Sequence, residues 1–424
     1  MTATPARATT PPDHAAGPAG RPGASARLAH ARDTALLVAA RPALAGLLLT
    51  GRAVASGSVR RVPRVGWVTA SPVHARQALN DHRSFSMVGE GGVGHLWAQV
   101  LGPWVTELFD GPGHHDLRSR SRELFTDASA HEQVERTWGP LLTSARERLA
   151  QGGAVDVADL SRVAVGRMMI ASLGIPHAGS GDDAALPDDA TARRVFAQGE
   201  RLASTAMRAT TQPTLDPALV ATAKAIVTDL TAGVPHGYRT APPTTLLGRM
   251  RELGVTEQEA TGLSALLLVA GTETSASAMQ RTVALLCDTG EQHRLLAEPD
   301  RLDDAVREGL RVSTPATVIG RAVVADVELA GRTLRAGDSL LALVWSANTA
   351  VGGFRLDRPY EPRNRQLWFG AGRHLCLGAP LARAEIAALV RTLWADGVPL
   401  RVARRRAQRR VLVPGYERLV VTRA

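Results

Sequence analysis

The sequence predicts a mainly helical protein with a small β region. Apolar residues recur every three or four positions over 131–175 and again from Thr256 to about Cys287, which is the spacing of packed helices. Alternating apolar residues with turn pairs are confined to 59–69 and 323–345. The chain has 424 residues, of which 45% are hydrophobic and 21% charged, as expected for a soluble globular protein large enough to enclose a cavity.

The N-terminal part of the chain combines a polar tail with an apolar segment. Residues 1–28 are rich in Ala, Pro, Thr and Gly, so we expect a disordered tail. The apolar run 35–50 is interrupted by Arg41-Pro42 and is too short to span a bilayer, so a helix of a soluble protein without a membrane anchor is expected. No secretory leader pattern is seen and the chain has 2 cysteines, which favours a cytoplasmic location.

The first half of the chain is predicted to be helical apart from one hairpin. Partial alternation with a proline at 59–69 predicts an edge strand or hairpin. Ser71-Pro72 is a typical start of a helix, and helical spacing follows over 131–175, with a second run at 163–173. Over 191–243 we expect shorter helices, broken at Pro213, Pro217 and Pro235.

The second half contains the longest predicted helix. Thr256 and Glu259 form a capping-box pattern, and the apolar residues that follow lie all round the helix, which indicates burial. A later helix must end by Thr314-Pro315. The β region over 323–345 has turns at 330–331 and 336–337, and a final helix is expected to end near 396–397 at a glycine.

The positive charge of the chain is carried by arginine. The formal net charge is +10, and Lys224 is the only lysine. The arginines are scattered, and the densest run, at 404–410, is short. We therefore expect a solvated face or a docking patch for an acidic protein, and no nucleic-acid groove.

A glycine-rich segment at 89–94 formally matches the dinucleotide fingerprint G-x-G-x-x-G. That fingerprint requires a preceding strand and a βαβ unit, and neither is predicted around this segment. A loop that covers a cavity is therefore the better interpretation.

Residues 369–378 read Phe-Gly-Ala-Gly-Arg-His-Leu-Cys-Leu-Gly and precede a helix-forming run. Cys376 is thus expected just before a helix N-terminus, where the helix dipole stabilises a thiolate. Gly370, Gly372 and Gly378 would let the backbone approach a flat, bulky group. Taken alone, such a cysteine is also compatible with a buried and inert thiol.

Three other motifs carry polar residues at informative spacing. His114 and Arg118 would share one helix face, which suits either an anion or a solvated surface pair. Residues 270–275, Ala-Gly-Thr-Glu-Thr-Ser, place an acid and hydroxyls inside the buried helix, either for local hydrogen bonds that bend it or to line a groove for dioxygen. Glu308 and Arg311 could form an ion pair on one helix face.

The cysteine segment resembles the haem-ligand loop of the cytochrome P450 family, Phe-Gly-x-Gly-x-His-x-Cys-x-Gly. The other three motifs resemble family motifs and follow in the same order, so that the resemblance extends over roughly 30–424. It implies a mainly α fold with a small β region, a single catalytic domain at 29–424, and haem b (iron protoporphyrin IX) buried between two long helices. The sequence departs from the family pattern at 348–351, Asn-Thr-Ala-Val, which puts the conformation of that connection in doubt.

The resemblance also assigns site residues. Cys376 would be the iron ligand. Thr274 would hydrogen-bond the oxygen being activated and Glu273 would help to deliver protons. The other cofactor-binding residues implied are His114, Arg118, Arg321 and His374, which would pair with the haem propionates, together with Ala270, Gly271, Phe369, Gly370 and Gly378. A structural charge network would join Glu308, Arg311 and Arg358. The substrate pocket would include Val88, Leu96, Trp97, Leu266, Val318 and Ile319.

The activity implied is that of a haem-thiolate monooxygenase that hydroxylates or epoxidises a small apolar molecule, in the biosynthesis of a specialised metabolite. Electrons would come from NAD(P)H through a ferredoxin and a ferredoxin reductase, and Arg363, Arg365 and Arg373 would help an acidic ferredoxin to dock. Alternatives are an oxidase that closes or couples rings, and a haem-binding sensor without turnover. A peroxygenase is disfavoured because the Glu273–Thr274 pair would then have no role.

Overall fold

A computed structural model describes residues 23–89, 93–102, 104–177, 186–208 and 216–424. Most of the expected N-terminal tail therefore lies outside the described residues. The first helix begins at Ala24, before the expected start of the folded domain at residue 29. The apolar run 35–50, where one helix was expected, is divided between two helices, with Arg41 at the break and Pro42 as the first residue of the second helix.

Helices make up most of the described chain. They are α1 Ala24–Ala40, α2 Pro42–Val54, α3 Pro72–Asn80, α4 Val93–Leu101, α5 Trp104–Phe109, α6 His114–Arg122, α7 Asp127–Ala150, α8 Val157–Leu173, α9 Asp189–Arg208, α10 Pro217–Leu230, α11 Val234–Thr240, α12 Leu246–Glu252, α13 Glu257–Thr289, α14 Glu291–Ala297, α15 Leu302–Ser313, α16 Val344–Thr349 and α17 Ala379–Leu393. Short 3-10 helices lie at Glu123–Phe125, Pro299–Arg301, Pro362–Asn364, Leu367–Phe369 and Gly372–His374.

The strands form three small sheets. They are β1 Val59–Val62, β2 Gly66–Thr69, β3 Phe85–Ser86, β4 Val155–Asp156, β5 Ile319–Val323, β6 Val327–Leu329, β7 Arg332–Leu334, β8 Ser339–Ala342, β9 Leu400–Ala407 and β10 Tyr416–Arg423. The largest sheet has the order β1-β2-β8-β5-β3, in which β2 and β8 are parallel and the other neighbours antiparallel. The mainly helical fold with a small β region is therefore confirmed.

The long helix α13 forms the centre of the molecule. Its capping box is present, because the Thr256 side chain accepts from the backbone N–H of Glu259 and the Glu259 carboxylate accepts from that of Thr256. Most of its 33 residues are buried, and it packs against α1, α8, α9, α15 and α17. Gly290 ends it with a left-handed conformation, φ +79°.

Between α8 and α13, two helices begin at the prolines where breaks were predicted. Pro217 and Pro235 lie in the first turns of α10 and α11, where a proline needs no backbone donor, whereas Pro213 lies outside the described residues. The combined stretch Pro217–Thr240 is apolar and long enough to cross a membrane by length and composition alone. In the structure it is divided into α10 and α11, with residues 231–233 forming a turn between them.

Two parts of the prediction were wrong in detail. Trp345 was expected in the β region but lies in α16, because β8 ends at Ala342 and the N–H of Ala347 bonds to the carbonyl of Leu343, which closes a helical turn. The hairpin of β9 and β10 was not predicted. The arginine run at 404–406 lies in β9, where pairing with β10 outweighs the weak strand preference of the sequence.

The final helix α17 ends at Leu393, slightly before the glycine expected to stop it.

Candidate functional site

The cysteine loop is held between two short 3-10 helices and α17. The backbone N–H of Cys376 donates to the carbonyl of Phe369 at 3.0 Å, which closes the loop. Gly378 is the N-cap of α17, so Cys376 lies two residues before that cap, at the helix N-terminus as predicted. The Cys376 side chain is exposed.

The glycines of this loop have different roles. Gly370 and Gly372 adopt positive φ angles of +79° and +69°, which side chains rarely tolerate. A Cβ at Gly372 would clash with the carbonyl oxygen of Leu79 and lie 3.0 Å from Asn80 Oδ1, so this glycine permits close packing on α3. A Cβ at Gly370 would lie 3.7 Å from Ile319 Cδ1, and one at Gly378 would lie 3.9 Å from Cys376 Sγ, both ordinary contacts. The expectation that all three glycines admit a flat group therefore does not apply to Gly372, whose near side is filled by α3.

Positive groups surround the Cys376 thiol. Desolvation by the surrounding protein atoms is the largest influence and raises the pKa of the Cys376 thiol above its ordinary value, while a hydrogen bond from the Gly378 backbone and the charges of Arg118 and Arg383 oppose this rise. Burial also lowers the pKa of the Arg118 guanidinium, and the nearby Cys376 counteracts this. The fold thus brings α6 and α17 to the cysteine loop and places two cations where they favour a thiolate.

Three of the predicted propionate ligands lie close together. The rings of His114 and His374 are 4.9 Å apart between centroids, and His114 is 4% exposed. Arg321, on β5, is 5% exposed, and its charge lowers the pKa of His374, although burial is the larger cause. Burial lowers the pKa of Arg321 itself to about 10. Among the described residues, the hydrogen bond seen for this guanidinium goes to the carbonyl of Gly320 at 2.9 Å, and no ion pair is present.

Asp110 joins these residues, and no role was predicted for it. Its carboxylate lies 3.2 Å from His374 Nε2 and accepts from the Ser86 hydroxyl at 2.7 Å and the Met87 N–H at 3.0 Å. Burial would raise the pKa of Asp110, but these hydrogen bonds together lower it well below its usual range. Asp110 opens the motif that contains His114, so the sequence signal for it was present but unused.

The middle of α13 presents an accessible stripe. Leu266, Ala270 and Thr274 follow at intervals of four on one face, and Ala270 is exposed while the other two are half-buried. Thr272 and Val269, on other faces, are buried. Accessible surface in the middle of a core helix marks the wall of an internal space. The Thr274 hydroxyl donates to the Ala270 carbonyl at 2.6 Å, so the local hydrogen bond considered from the sequence is present beside this space.

Gly271 brings α13 close to α8, since a Cβ there would lie 3.0 Å from Met169 Cε.

Glu273 is buried, being 8% exposed. Burial and the charge of Glu200 raise its pKa to about 8, and a hydrogen bond from the backbone of Val413 opposes the shift. Within the described part of the chain, no hydrogen bond reaches Glu273 Oε2. Glu273 is therefore a neutral acid at pH 7 and holds a proton that it can donate.

A second buried acid, Glu385 on α17, was missed by the sequence reasoning. It is fully buried, and burial raises its pKa to about 8 while the nearby Ser275 hydroxyl lowers it. A Glu among apolar helix residues can be recognised as buried only when the packing of that helix is known.

The predicted charge network is assembled in the structure. Glu308 and Arg311 are almost fully buried and form a bidentate pair with both N–O distances at 2.7 Å. Arg358 Nε donates to Glu308 Oε2 at 3.2 Å. The Nη1 and Nη2 atoms of both arginines donate to backbone carbonyls of 348–353. The network thus holds the connection after α16, where the sequence departs from the family pattern.

The expected pocket residues are dispersed over several elements. Ile319 on β5 lies beside Gly370 of the cysteine loop, and Leu266 lies on the accessible stripe of α13. Trp97 is half-buried against the main apolar core, and Val318 packs against the apolar cluster around α2. The Val88 N–H bonds to Ser86 Oγ at 3.1 Å. The Leu96 side chain lies outside what the structure describes.

The residues present fit a haem. Haem carries iron that can accept a thiolate and two propionates that require cationic or N–H partners. The site offers Cys376 with accessible surface, the buried guanidinium of Arg321, and His374, whose buried Nδ1 has no hydrogen-bond partner among the described residues. The accessible stripe of α13 supplies an apolar wall.

Comparison with known sequences identifies relatives over part of the chain. A family model described as cytochrome P450 matches residues 244–394. Cytochrome P450 109 of Bacillus spizizenii is 37% identical over 138 residues, which are 31% of this chain and 33% of that protein. Mycinamicin VIII C21 methyl hydroxylase of Micromonospora griseorubida is 36% identical over 171 residues, 38% of this chain and 44% of that protein. The aligned segments span less than half of the length of these relatives.

Solved structures resemble the whole fold. P450BioI, in complex with an acyl carrier protein ligated to hexadec-9Z-enoic acid, aligns with a TM-score of 0.72 at 21% identity and covers 95% of this chain and 100% of that one. The mycinamicin VIII C21 methyl hydroxylase MycCI from Micromonospora griseorubida, bound to mycinamicin VIII, aligns with a TM-score of 0.65 at 25% identity and covers 88% of this chain and 95% of that one.

Proposed function

The chain is a bacterial-type member of the cytochrome P450 family, and on this basis we propose that it is a haem-thiolate monooxygenase that oxidises a small apolar molecule. The observation that carries the proposal is the position of Cys376, two residues before the cap of α17 and beside the charges of Arg118 and Arg383. These two charges favour the thiolate that such chemistry requires, although desolvation by the surrounding protein still raises the pKa of the Cys376 thiol.

The Cys376 thiolate would hold the iron of haem b, and the bound haem would supply the activation of dioxygen with two electrons. Arg321, His374 and His114 would hold one side of the cofactor through its propionates, and Arg118 would hold it near the thiolate. Among the described residues no carboxylate forms an ion pair with the buried Arg321 guanidinium, and the charge of Asp110 only partly offsets its burial, so Arg321 has a physical reason to bind an anion.

Glu273 and Thr274 would act on the oxygen side. Glu273 is neutral at pH 7 because burial raises its pKa to about 8, so it holds a proton to donate. The Thr274 hydroxyl borders the accessible stripe and can exchange its bond to the Ala270 carbonyl for one to a bound oxygen molecule. Leu266 and Ala270, the apolar residues of the stripe, would keep bulk water out.

The substrate proposed is a small apolar molecule that is hydroxylated or epoxidised in the biosynthesis of a specialised metabolite. The relative from Micromonospora is named as a methyl hydroxylase of mycinamicin VIII, which supports a tailoring role. Ring closure or coupling would use the same residues and remains the alternative chemistry.

The proposed electron donor is an acidic ferredoxin, supplied from NAD(P)H by its reductase in the cytoplasm. The 3-10 helices at Pro362–Asn364 and Gly372–His374 pack against α3, so Arg363, Arg365 and Arg373 lie on or next to segments that meet at that helix. Val73, Tyr360 and Leu375 are exposed apolar side chains of this region, at 54%, 51% and 38%. Exposed apolar groups with a basic rim suit a transient acidic partner.

The docking proposal is tested by charge reversal. Arg363→Glu with Arg365→Glu should slow reduction by ferredoxin about tenfold or more at low ionic strength, and less at high salt. Arg401→Glu with Arg404→Glu, on β9, changes the net charge equally and should leave the rate unchanged. An equal loss of reduction rate in the two double variants would contradict this docking site.

The activity is tested in two steps. The reduced protein with carbon monoxide should show the Soret shift typical of a thiolate-ligated haem, and a ferredoxin system should then support substrate-dependent NADPH consumption. Turnover with hydrogen peroxide alone would favour a peroxygenase. A thiolate signal without turnover across a broad apolar panel would favour a haem-binding sensor.

A further inference from the structure

Three segments meet at Glu273: α13 itself, α9 and the chain that joins β9 to β10. Glu273, Ser277 and Gln280 lie on one face of α13 and all bond to residues 413–416, which end at the first residue of β10. Val413 donates its N–H to Glu273, the Ser277 hydroxyl donates to the Pro414 carbonyl at 2.6 Å, and the N–H of Tyr416 donates to Gln280 at 2.9 Å. This face of α13 is therefore held firmly against residues 413–416.

Helix α9 comes unusually close to α13 at this place. A Cβ at Gly199 would lie 2.7 Å from Thr272 Oγ1 and 3.3 Å from the Leu268 carbonyl oxygen. A side chain at position 199 would therefore require the Thr272 side chain or one of the two helices to shift. The next residue of α9 is Glu200, and the next residue of α13 after Thr272 is Glu273.

Glu200 is anchored to the same segment that binds Glu273. Its Oε1 accepts from Gln408 Nε2 at 2.8 Å, and its side chain is half-buried. Gln408 is in turn bonded through its N–H to the Gly415 carbonyl at 3.0 Å. Two carboxyl groups from different helices are thus held on one short loop, one of them buried and the other in contact with solvent.

The other charged groups near Glu273 do not compensate for Glu200. Residues 411–415 are Val-Leu-Val-Pro-Gly and carry no charged side chain. Glu385 on α17 lies beside Ser275, two positions along α13 from Glu273, and is itself buried. Within the described residues, no arginine or lysine forms an ion pair with Glu273. The charge that acts on Glu273 is that of Glu200, and it adds to the effect of burial in raising the pKa of Glu273.

We propose that Glu200 is a positioning residue that keeps Glu273 protonated and returns a proton to it from solvent after each donation. In one cycle Glu273 gives its proton towards the oxygen side and becomes a carboxylate. Glu200 takes a proton from solvent water, passes it to Glu273 and becomes a carboxylate again, so that charge and protons balance. The proposal rests on the proposed role of Glu273 in the monooxygenase.

The direct test is infrared spectroscopy of the resting haem-loaded protein as a function of pH. The carbonyl band of protonated Glu273 is identified as the band that Glu273→Gln removes. Glu200→Gln keeps an acceptor for Gln408 but removes the charge, so the midpoint of this band should move down from about 8 towards the ordinary value of 4.5. An unchanged midpoint overturns the proposal, and so does the absence of a Glu273-dependent band at neutral pH.

The chain offers a matched control. Asp229 on α10 accepts a hydrogen bond from Gln198 of α9, so it makes the same kind of carboxylate–amide bond to α9 without bonding to α13. Asp229→Asn should leave the Glu273 band and turnover unchanged. Glu200→Asp, which keeps the charge, should keep the midpoint near its original value. A shift in the Asp229 variant as large as that in the Glu200 variant would mean that loosening of α9 is the cause, and the proposal fails.

Turnover supplies the second readout. Glu200→Gln should lower kcat about tenfold above neutral pH, where solvent protons are scarce, while KM for the substrate stays unchanged. A rise in KM with unchanged kcat would assign Glu200 to substrate binding and overturn its proposed role in proton return. If the carbon monoxide spectrum of the wild type lacks the thiolate signature, the proposed function itself has failed. If that signature is present but the Glu273 midpoint does not respond to Glu200, only this inference has failed.

Discussion

Replacement of Gly372 by alanine tests how the cysteine loop is held in place. Gly372 has φ +69°, and a left-handed conformation is unfavourable for an alanine by about 1–2 kcal/mol. The new Cβ would also clash with the Leu79 carbonyl oxygen and lie 3.0 Å from Asn80 Oδ1. Because a backbone carbonyl at the end of α3 cannot rotate away, relief requires a shift of the loop or the helix, which adds about 1–3 kcal/mol. The expected destabilisation is therefore about 2–5 kcal/mol.

Urea unfolding of Gly372→Ala and Gly397→Ala measures this directly. Gly397 has nearly the same φ, +70°, but a Cβ there would meet no atom within 4 Å, so this variant should lose only the conformational contribution of about 1–2 kcal/mol. Gly372→Ala should in addition release haem more readily, because its loop carries Cys376. Equal destabilisation by the two variants would refute the close packing of the cysteine loop on α3.

Three further predictions concern buried charges. Glu308→Gln leaves two buried guanidinium groups without their carboxylate, so urea unfolding should show a loss of about 3–5 kcal/mol. Glu252→Gln breaks only an exposed pair and should change stability by about 0.5 kcal/mol or less; similar losses in both would contradict the network. Glu385 has a folded pKa of about 8 against an ordinary 4.5, so the folded state keeps a proton that the unfolded chain loses, and stability should fall as pH rises between these values. Glu385→Gln should flatten this dependence by up to about 1.4 kcal/mol per pH unit, and an unaltered slope in urea titrations would exclude Glu385 as its source. Arg321→Gln should speed haem transfer to an acceptor globin about tenfold or more, while the exposed Arg332→Gln should have no effect; retention of haem by the Arg321 variant would argue against a propionate contact.

Local signals made the long helix and the cysteine loop predictable. The capping box at Thr256 involves residues three apart, and the structure contains both of its hydrogen bonds. The loop around Cys376 is likewise formed by a short, glycine-rich segment followed by a helix N-terminus. Such features depend on neighbours in sequence, so spacing and residue type suffice to predict them.

Features that depend on distant contacts could not be predicted. Asp110 acquires its role from Ser86 and His374, which lie 24 and 264 positions away in sequence. The environment of Glu385 is created by packing of α17 on α13, and that of Glu273 by Glu200 on α9. Strand β9 forms because β10 pairs with it, although its arginines disfavour a strand in isolation. Burial and charge neighbours are properties of the assembled fold, and no local pattern encodes them.

The assignment of Cys376 as the iron ligand is tested most directly by the spectrum of the reduced protein with carbon monoxide. The two cysteines of the chain provide variant and control. Cys287 lies on α13, and burial raises the pKa of its thiol to about 12, so it stays protonated and is a poor ligand. The thiolate-type Soret shift should be present in the wild type and in Cys287→Ala, and absent from Cys376→Ala. Survival of this signal in Cys376→Ala, or its loss in Cys287→Ala, would contradict the account.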